Sequence, residues 1–99
     1  MCDTNRMQMR SDTWVVIPAF NEAPVIGGVV AGVHTFFPCV LVVDDASSDD
    51  TAAVARAAGA YTARHPLNLW QGAALQTGFH AALARGARSV VTSYADGQH

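Results

Sequence analysis

Short, unbroken apolar runs alternate along this chain with longer stretches in which apolar residues recur every three or four positions. "TWVVIP" is an apolar run stopped by Pro18 and reads as a buried strand. "CVLVVDD" is a second, ended by two carboxylates, the pattern of a parallel strand covered on both faces. "AYTAR" is a weaker third and "SVVTSY" a fourth. Between them lie three helical segments. "NEAPVIGGVVAGVHTFF" has Pro24 suited to a first turn, with Val25, Val29, Val33 and Phe36 expected on one face. "SSDDTAAVARAAG" has cap candidates at Ser47, Ser48, Asp49 and Asp50, an alanine-rich body and Gly59 as terminator. "QGAALQTGFHAALARG" is expected to place Ala74, Leu75, Phe79 and Leu83 on one side and to end at Gly86.

The order β-α-β-α-β-α-β with short connections predicts an α/β fold. Its parallel sheet has about four strands, right-handed crossovers and helices on both faces. Residues 1 to 12 are polar and without periodicity, and are expected to form a disordered tail ahead of a domain spanning 13–99.

Composition narrows what such a sheet can do. Of 99 residues, 51% are hydrophobic and 14% charged, and the net charge is -2. That is too apolar for a disordered chain and too acidic for a nucleic-acid binder that works by neutralising phosphates. The two cysteines, Cys2 and Cys39, make no disulfide framework, so a reduced, cytoplasmic setting is expected. No signal-peptide core is present near the N-terminus, and no apolar stretch approaches the roughly 20 residues needed to span a bilayer.

Ligands of open parallel sheets sit beyond the carboxyl ends of the strands. Polar groups gather there: Asn21 and Glu22 after the first strand, Asp44 and Asp45 after the second, Asp96 and Gln98 after the fourth. Loop carboxylates often only cap helices, and Ser47 to Asp50 fit that role. Delivery of acid or amide groups to one edge by three strands favours a site. No Gly-x-Gly-x-x-Gly follows the first strand and there is no P-loop, which disfavours a dinucleotide-dependent dehydrogenase. With few cations present, a diphosphate would be held through a divalent metal, and Asp and Gln oxygens suit Mg2+ or Mn2+.

"VVIPAFNE", "LVVDDASSDDT", "HPLNLWQGAALQTG" and "YADGQH", in this order and spacing, resemble the nucleotide-binding half of family-2 glycosyltransferases with the GT-A fold. Dolichol-phosphate mannosyltransferase-like members are the nearest in pattern. The resemblance covers residues 14 to 99. It implies a Rossmann-like domain that binds a nucleotide-diphosphate sugar, UDP- or GDP-linked, and passes the sugar to a polyprenyl phosphate or another lipid or glycan acceptor at a membrane surface. Pro18, Phe20 and Glu22 would line the base and ribose pocket, and Val43 and Asp45 would hold the base. Ala95, Asp96 and Gln98 would match the second half of the family's Asp-Ala-Asp-Gly-Gln motif, with Asp96 and Gln98 at the metal. Asp44 would only fix its loop.

Three positions depart from that pattern. Tyr94 stands where the motif has its first Asp, which removes one carboxylate from the donor side. Trp70 and Ala46 stand where relatives carry Gly. The chain also stops at His99, before the family's acceptor half and catalytic base, so it reads as a truncated domain. No general base is assignable, and His34, His65 and His80 read as surface or packing residues. The alternative reading is a non-catalytic, nucleotide-binding remnant of a degenerate glycosyltransferase.

Overall fold

Four strands, each joined to the next through a helix, make up the fold. A computed structural model describes residues 12–94. The elements are β1 (Thr13–Ala19), α1 (Ala23–His34), β2 (Cys39–Asp44), α2 (Thr51–Ala57), β3 (Tyr61–Arg64), α3 (Trp70–Ala84) and β4 (Ser89–Thr92). All pairings are parallel, in the order β3-β2-β1-β4. The chain winds outward from β1 through β2 to β3, then returns to the other side of β1. Reversing the winding direction with right-handed crossovers moves the connecting helix to the opposite face.

The two faces follow from the two-residue period of the strands. Val15, Ile17, Ala19, Val40 and Val42 point to one face and pack with Ile26 and Val30 of α1 and Ala55 of α2. Trp14, Val16, Cys39, Leu41 and Val43 point to the other and pack with Ala74 and Ala82 of α3. The central strands are covered on both sides, which is why β1 and β2 are continuous apolar runs.

Both long helices turn a different stripe to the sheet than the largest side chains predict. In α1 the buried residues are Ile26 and Val30. Val29, Val33 and Phe37 pack beside them, while Val25 and Phe36 are exposed. In α3, Phe79 and Leu83 are exposed, and the sheet-facing residues are Ala74, Gly78 and Ala82. The reason is distance. A Cβ added at Gly78 would lie 2.2 Å from a methyl of Val16, so α3 approaches β1 too closely for a large side chain.

Pro24 occupies the first turn of α1, and Gly59 and Gly86 adopt φ of +107° and +96° just beyond α2 and α3, where left-handed backbone ends a helix. The expected caps of α2 are redistributed: Asp50 is its N-cap residue but makes no side-chain cap bond. Of the expected tail, Asp12 lies within the described residues. Its carbonyl accepts hydrogen bonds from the backbone N–H of Arg88 (2.7 Å) and Ser89 (3.1 Å); residues 1–11 lie outside the described residues. Cys39 is buried on the α3 face of the sheet, and Cys2 lies outside the described residues. No helix among the described residues is long and apolar enough to cross a membrane.

Candidate functional site

The carboxyl ends of β1, β2 and β3 open into three loops, and their sequences bond them to one another. The β1–α1 loop is tight: Asn21 takes φ +53°, a conformation Asn tolerates better than most residues. Its backbone N–H donates to Ser47 Oγ at 2.7 Å, while its side-chain oxygen accepts from the Ser48 N–H at 2.9 Å. The next two N–H groups, orphaned at the start of α1, also find partners on the second loop. Glu22 donates to Thr51 Oγ1 (2.9 Å) and Ala23 to Asp49 Oδ2 (3.2 Å). Asp49 Oδ1 in turn accepts from the Thr51 N–H (3.0 Å) and from the Thr51 hydroxyl. Ser47, Ser48 and Asp49 therefore tie two helix starts together. The Thr51 hydroxyl first, with the Ala23 and Thr51 N–H groups, holds the Asp49 carboxyl below its ordinary 3.8 against some desolvation.

The two carboxylates at the end of β2 part company because successive side chains leave opposite faces. Asp44 is fully buried; its Oδ1 accepts from the Ser47 N–H at 2.9 Å, fixing the turn. Arg64 reaches over the same turn, with Nη2 donating to the Ser47 carbonyl (3.0 Å) and Nη1 3.8 Å from Asp44 Oδ2. That second distance lies within charge range but outside hydrogen-bond reach, and Oδ2 has no hydrogen-bond partner among the described residues.

Asp45 faces α3. Its Oδ1 accepts from the Leu69 N–H (2.8 Å) and lies 2.8 Å from His65 Nδ1, and its Oδ2 accepts from the Trp70 N–H (2.8 Å). Burial, the largest influence, pushes this carboxyl up. The Leu69 N–H, His65 and the Trp70 N–H together outweigh it and hold the group below 3.8. Asp45 is thus an ionised acceptor clamped at the head of α3, with lone-pair capacity left on Oδ2.

A cleft of about 240 Å³ opens beside it, lined by Pro18, Ala19, Phe20, Glu22, Asp45, Asn68 and Trp70. Drug-sized ligands fill roughly 300–1,000 Å³, so this volume suits one ring system with part of a sugar. Pro18, Phe20, Glu22 and Asp45, the sequence-based candidates, meet here. Val43 does not line the cleft: it shares the α3 face with Asp45 but sits two residues earlier in β2, where its side chain is fully buried. Ala95, Asp96 and Gln98 lie outside the described residues. Among the described residues no group of three or more His, Cys, Asp or Glu could hold a metal ion. Asp45 is satisfied by N–H donors, as a hydrogen-bonding group rather than a metal ligand.

Sequence reasoning passed over His65, Asn68 and Trp70 as parts of this site. A usable signal existed for His65: it follows β3 directly, at the same sheet edge as Asp45, and a buried strand-end carboxylate needs donors.

Residues 14–99 match the model of the family described as glycosyl transferase family 2. An uncharacterized protein of Methanocaldococcus jannaschii is 38% identical over 91 residues, covering 91% of this chain and 37% of the relative. Glucosyl-3-phosphoglycerate synthase of Mycobacterium tuberculosis superposes with a TM-score of 0.71 at 27% identity, over 91% of this chain and 36% of that one. The same synthase has been solved with Mn2+, UDP-glucose and phosphoglyceric acid, a structure that matches at 26% identity and TM-score 0.71 over 91% and 35% of the two chains. The chain spans little more than a third of the length of these proteins.

Proposed function

This chain belongs to glycosyl transferase family 2, and we propose that residues 13–99 form the donor-binding half of a metal-dependent enzyme that moves a sugar from a nucleoside diphosphate to an acceptor. The observation that carries this reading is the Asp45 carboxylate, buried and pinned, with Oδ2 at a cleft walled by Pro18, Phe20 and Glu22. Such an acceptor matches a ring N–H on the edge of a base, and Glu22 suits ribose hydroxyls. The synthase solved with Mn2+ and UDP-glucose supports a nucleotide-sugar donor and a divalent metal.

In this reading Ala95, Asp96 and Gln98 would face the diphosphate, and Asp96 and Gln98 would hold Mg2+ or Mn2+. When bound, the metal neutralises charge on the leaving diphosphate in a single displacement. The residues of the cleft bind and orient the nucleoside, so that the sugar is presented beyond the strand ends. The acceptor we propose is a polyprenyl phosphate at a membrane surface; the phosphoglyceric acid bound by the synthase supports a phosphorylated acceptor in general. A second reading, a nucleotide-binding module that transfers no sugar, rests on Tyr94 at the place where the family motif has a carboxylate.

Calorimetric titration of UDP and of GDP into the chain, with and without Mn2+, tests the donor assignment. Binding of either nucleotide, tightened by Mn2+, is expected. Absence of heat with both nucleotides in the presence of Mn2+ would overturn it.

A further inference from the structure

Trp70 is the most exposed large hydrophobic residue described, at 77%. It also holds φ +75°, a region that penalises any residue with a Cβ, and an aromatic one in particular. An exposed indole in an unfavourable backbone conformation gains nothing from the core. Inference runs from such an outlier towards function.

What holds it there is specific. The Trp70 N–H donates to Asp45 Oδ2 (2.8 Å) and to Asn68 Oδ1 (3.1 Å), so the acceptor of the cleft also sets the backbone that carries the indole. The side chain lines the same cleft as Phe20, which is 45% exposed. Two accessible aromatic residues therefore share a small cleft with Glu22, Asp45 and Asn68, groups able to meet polar ring edges. A flat heterocycle with N–H donors on its rim fits both features. A phosphate fits neither, because Glu22 and Asp45 bring negative charge and, among the described residues, no cation lines the cleft.

We propose that Trp70 is the stacking wall for the donor's nucleobase, a binding residue that acts through its π-face while Asp45 reads the ring edge. The proposal rests on the nucleotide reading of the cleft. Stacking on an aromatic face tolerates any base, so Trp70 supplies affinity for the ring and Asp45 the discrimination.

The test compares wild type, Trp70→Gly and Trp70→Phe in binding UDP, GDP and inorganic pyrophosphate, each with Mn2+. Trp70→Gly is expected to weaken the nucleotides by roughly 10- to 100-fold, Trp70→Phe to recover most of that loss, and pyrophosphate to be unmoved. Tryptophan fluorescence gives an independent reading. Trp14 is 1% exposed, so quenching by nucleotide reports Trp70 and should vanish in Trp70→Phe. Nucleotide binding that is unchanged or tighter in Trp70→Gly overturns the stacking role and leaves the donor assignment standing. Loss of pyrophosphate in parallel with the nucleotides overturns it too, as a general loop defect. If wild type binds neither UDP nor GDP, the donor assignment and the stacking role fall together.

Discussion

His65 Nδ1 lies 2.8 Å from Asp45 Oδ1, and the same ring reaches Thr77 Oγ1 with Nε2 at 2.7 Å. The neutral imidazole meets both partners in one tautomer, with Nδ1–H donating to the carboxylate and Nε2 accepting from the hydroxyl. The contact links the end of β3, the end of β2 and the middle of α3. His65→Phe keeps the ring volume and removes both bonds, leaving a buried carboxylate short of a donor. We expect a loss of about 1–3 kcal/mol in urea denaturation. A cost within error would show that the loop is held by the Leu69 and Trp70 N–H groups alone.

Acid should reveal the clamped carboxylates. Asp45 and Asp49 both titrate below 3.8 in the folded protein. Each therefore contributes stability above its unfolded value, and that contribution is lost as pH falls through the lower, folded value. Thermal melts of the wild type should drop increasingly below about pH 4. Asp45→Asn sets an amide donor against N–H donors, so it should be less stable at neutral pH and show a shallower acid decline. An acid decline as steep as that of the wild type would contradict the assignment.

Trp70 and Ala46 both carry a Cβ at positive φ, +75° and +67°. Such strain costs on the order of 1–2 kcal/mol per residue. Trp70→Gly and Ala46→Gly should each raise the melting temperature, by roughly 4–8 °C per kcal/mol recovered in a domain of this size. For Trp70 the expected gain in stability accompanies the expected loss of nucleotide affinity, so one substitution should move the two properties in opposite directions. A lower melting temperature for Trp70→Gly would mean that the indole is packed.

The close approach of α3 makes the opposite prediction for Gly78. Its added Cβ would meet Val16 at 2.2 Å and Val43 at 3.2 Å. Gly78→Ala should cost about 1–3 kcal/mol or more through overpacking. Val16→Ala in the same chain should return part of that loss, read as a non-additive pair in a double-mutant cycle.

The strand runs and their order were legible because β1 and β2 are buried on both faces, which leaves unbroken apolar signatures. Helix faces were not. The size of a side chain guided the expectation for α3, yet Gly78 brings the backbone against Val16, so Phe79 and Leu83 are turned to solvent. The cleft residues Pro18, Phe20, Glu22 and Asp45 stood out because strand ends converge on one edge. Val43 was expected beside Asp45 and shares its face of the sheet, but it lies deeper in β2, fully buried under α3 and away from the cleft lining. His65, Asn68 and Trp70 were missed because their part depends on where a loop folds back, which depends on pairings twenty or more residues apart.

Tyr94 lies just past β4 and is 39% exposed. If the donor's metal belongs beside it, Tyr94→Asp restores the first carboxylate of the family motif, two positions before Asp96 in the sequence. Mn2+-dependent binding of UDP or GDP should strengthen, and Asp96→Ala should abolish it in that background, both by calorimetric titration. Weaker or unchanged binding in Tyr94→Asp would show that the phenol is no defect.

The bonds from Asn21, Glu22 and Ala23 to Ser47, Thr51 and Asp49 have a bearing on engineering. The β1–α1 loop does not satisfy its own backbone: the N–H groups of Asn21, Glu22 and Ala23 rely on side chains 26–29 residues away. Grafting a relative's β1–α1 loop alone would strand donors at the base of the cleft, whatever the new loop offered a substrate. Residues 20–23 and 47–51 have to be transplanted together, as a two-part cassette, and a library that randomises one half should be screened with the other held constant.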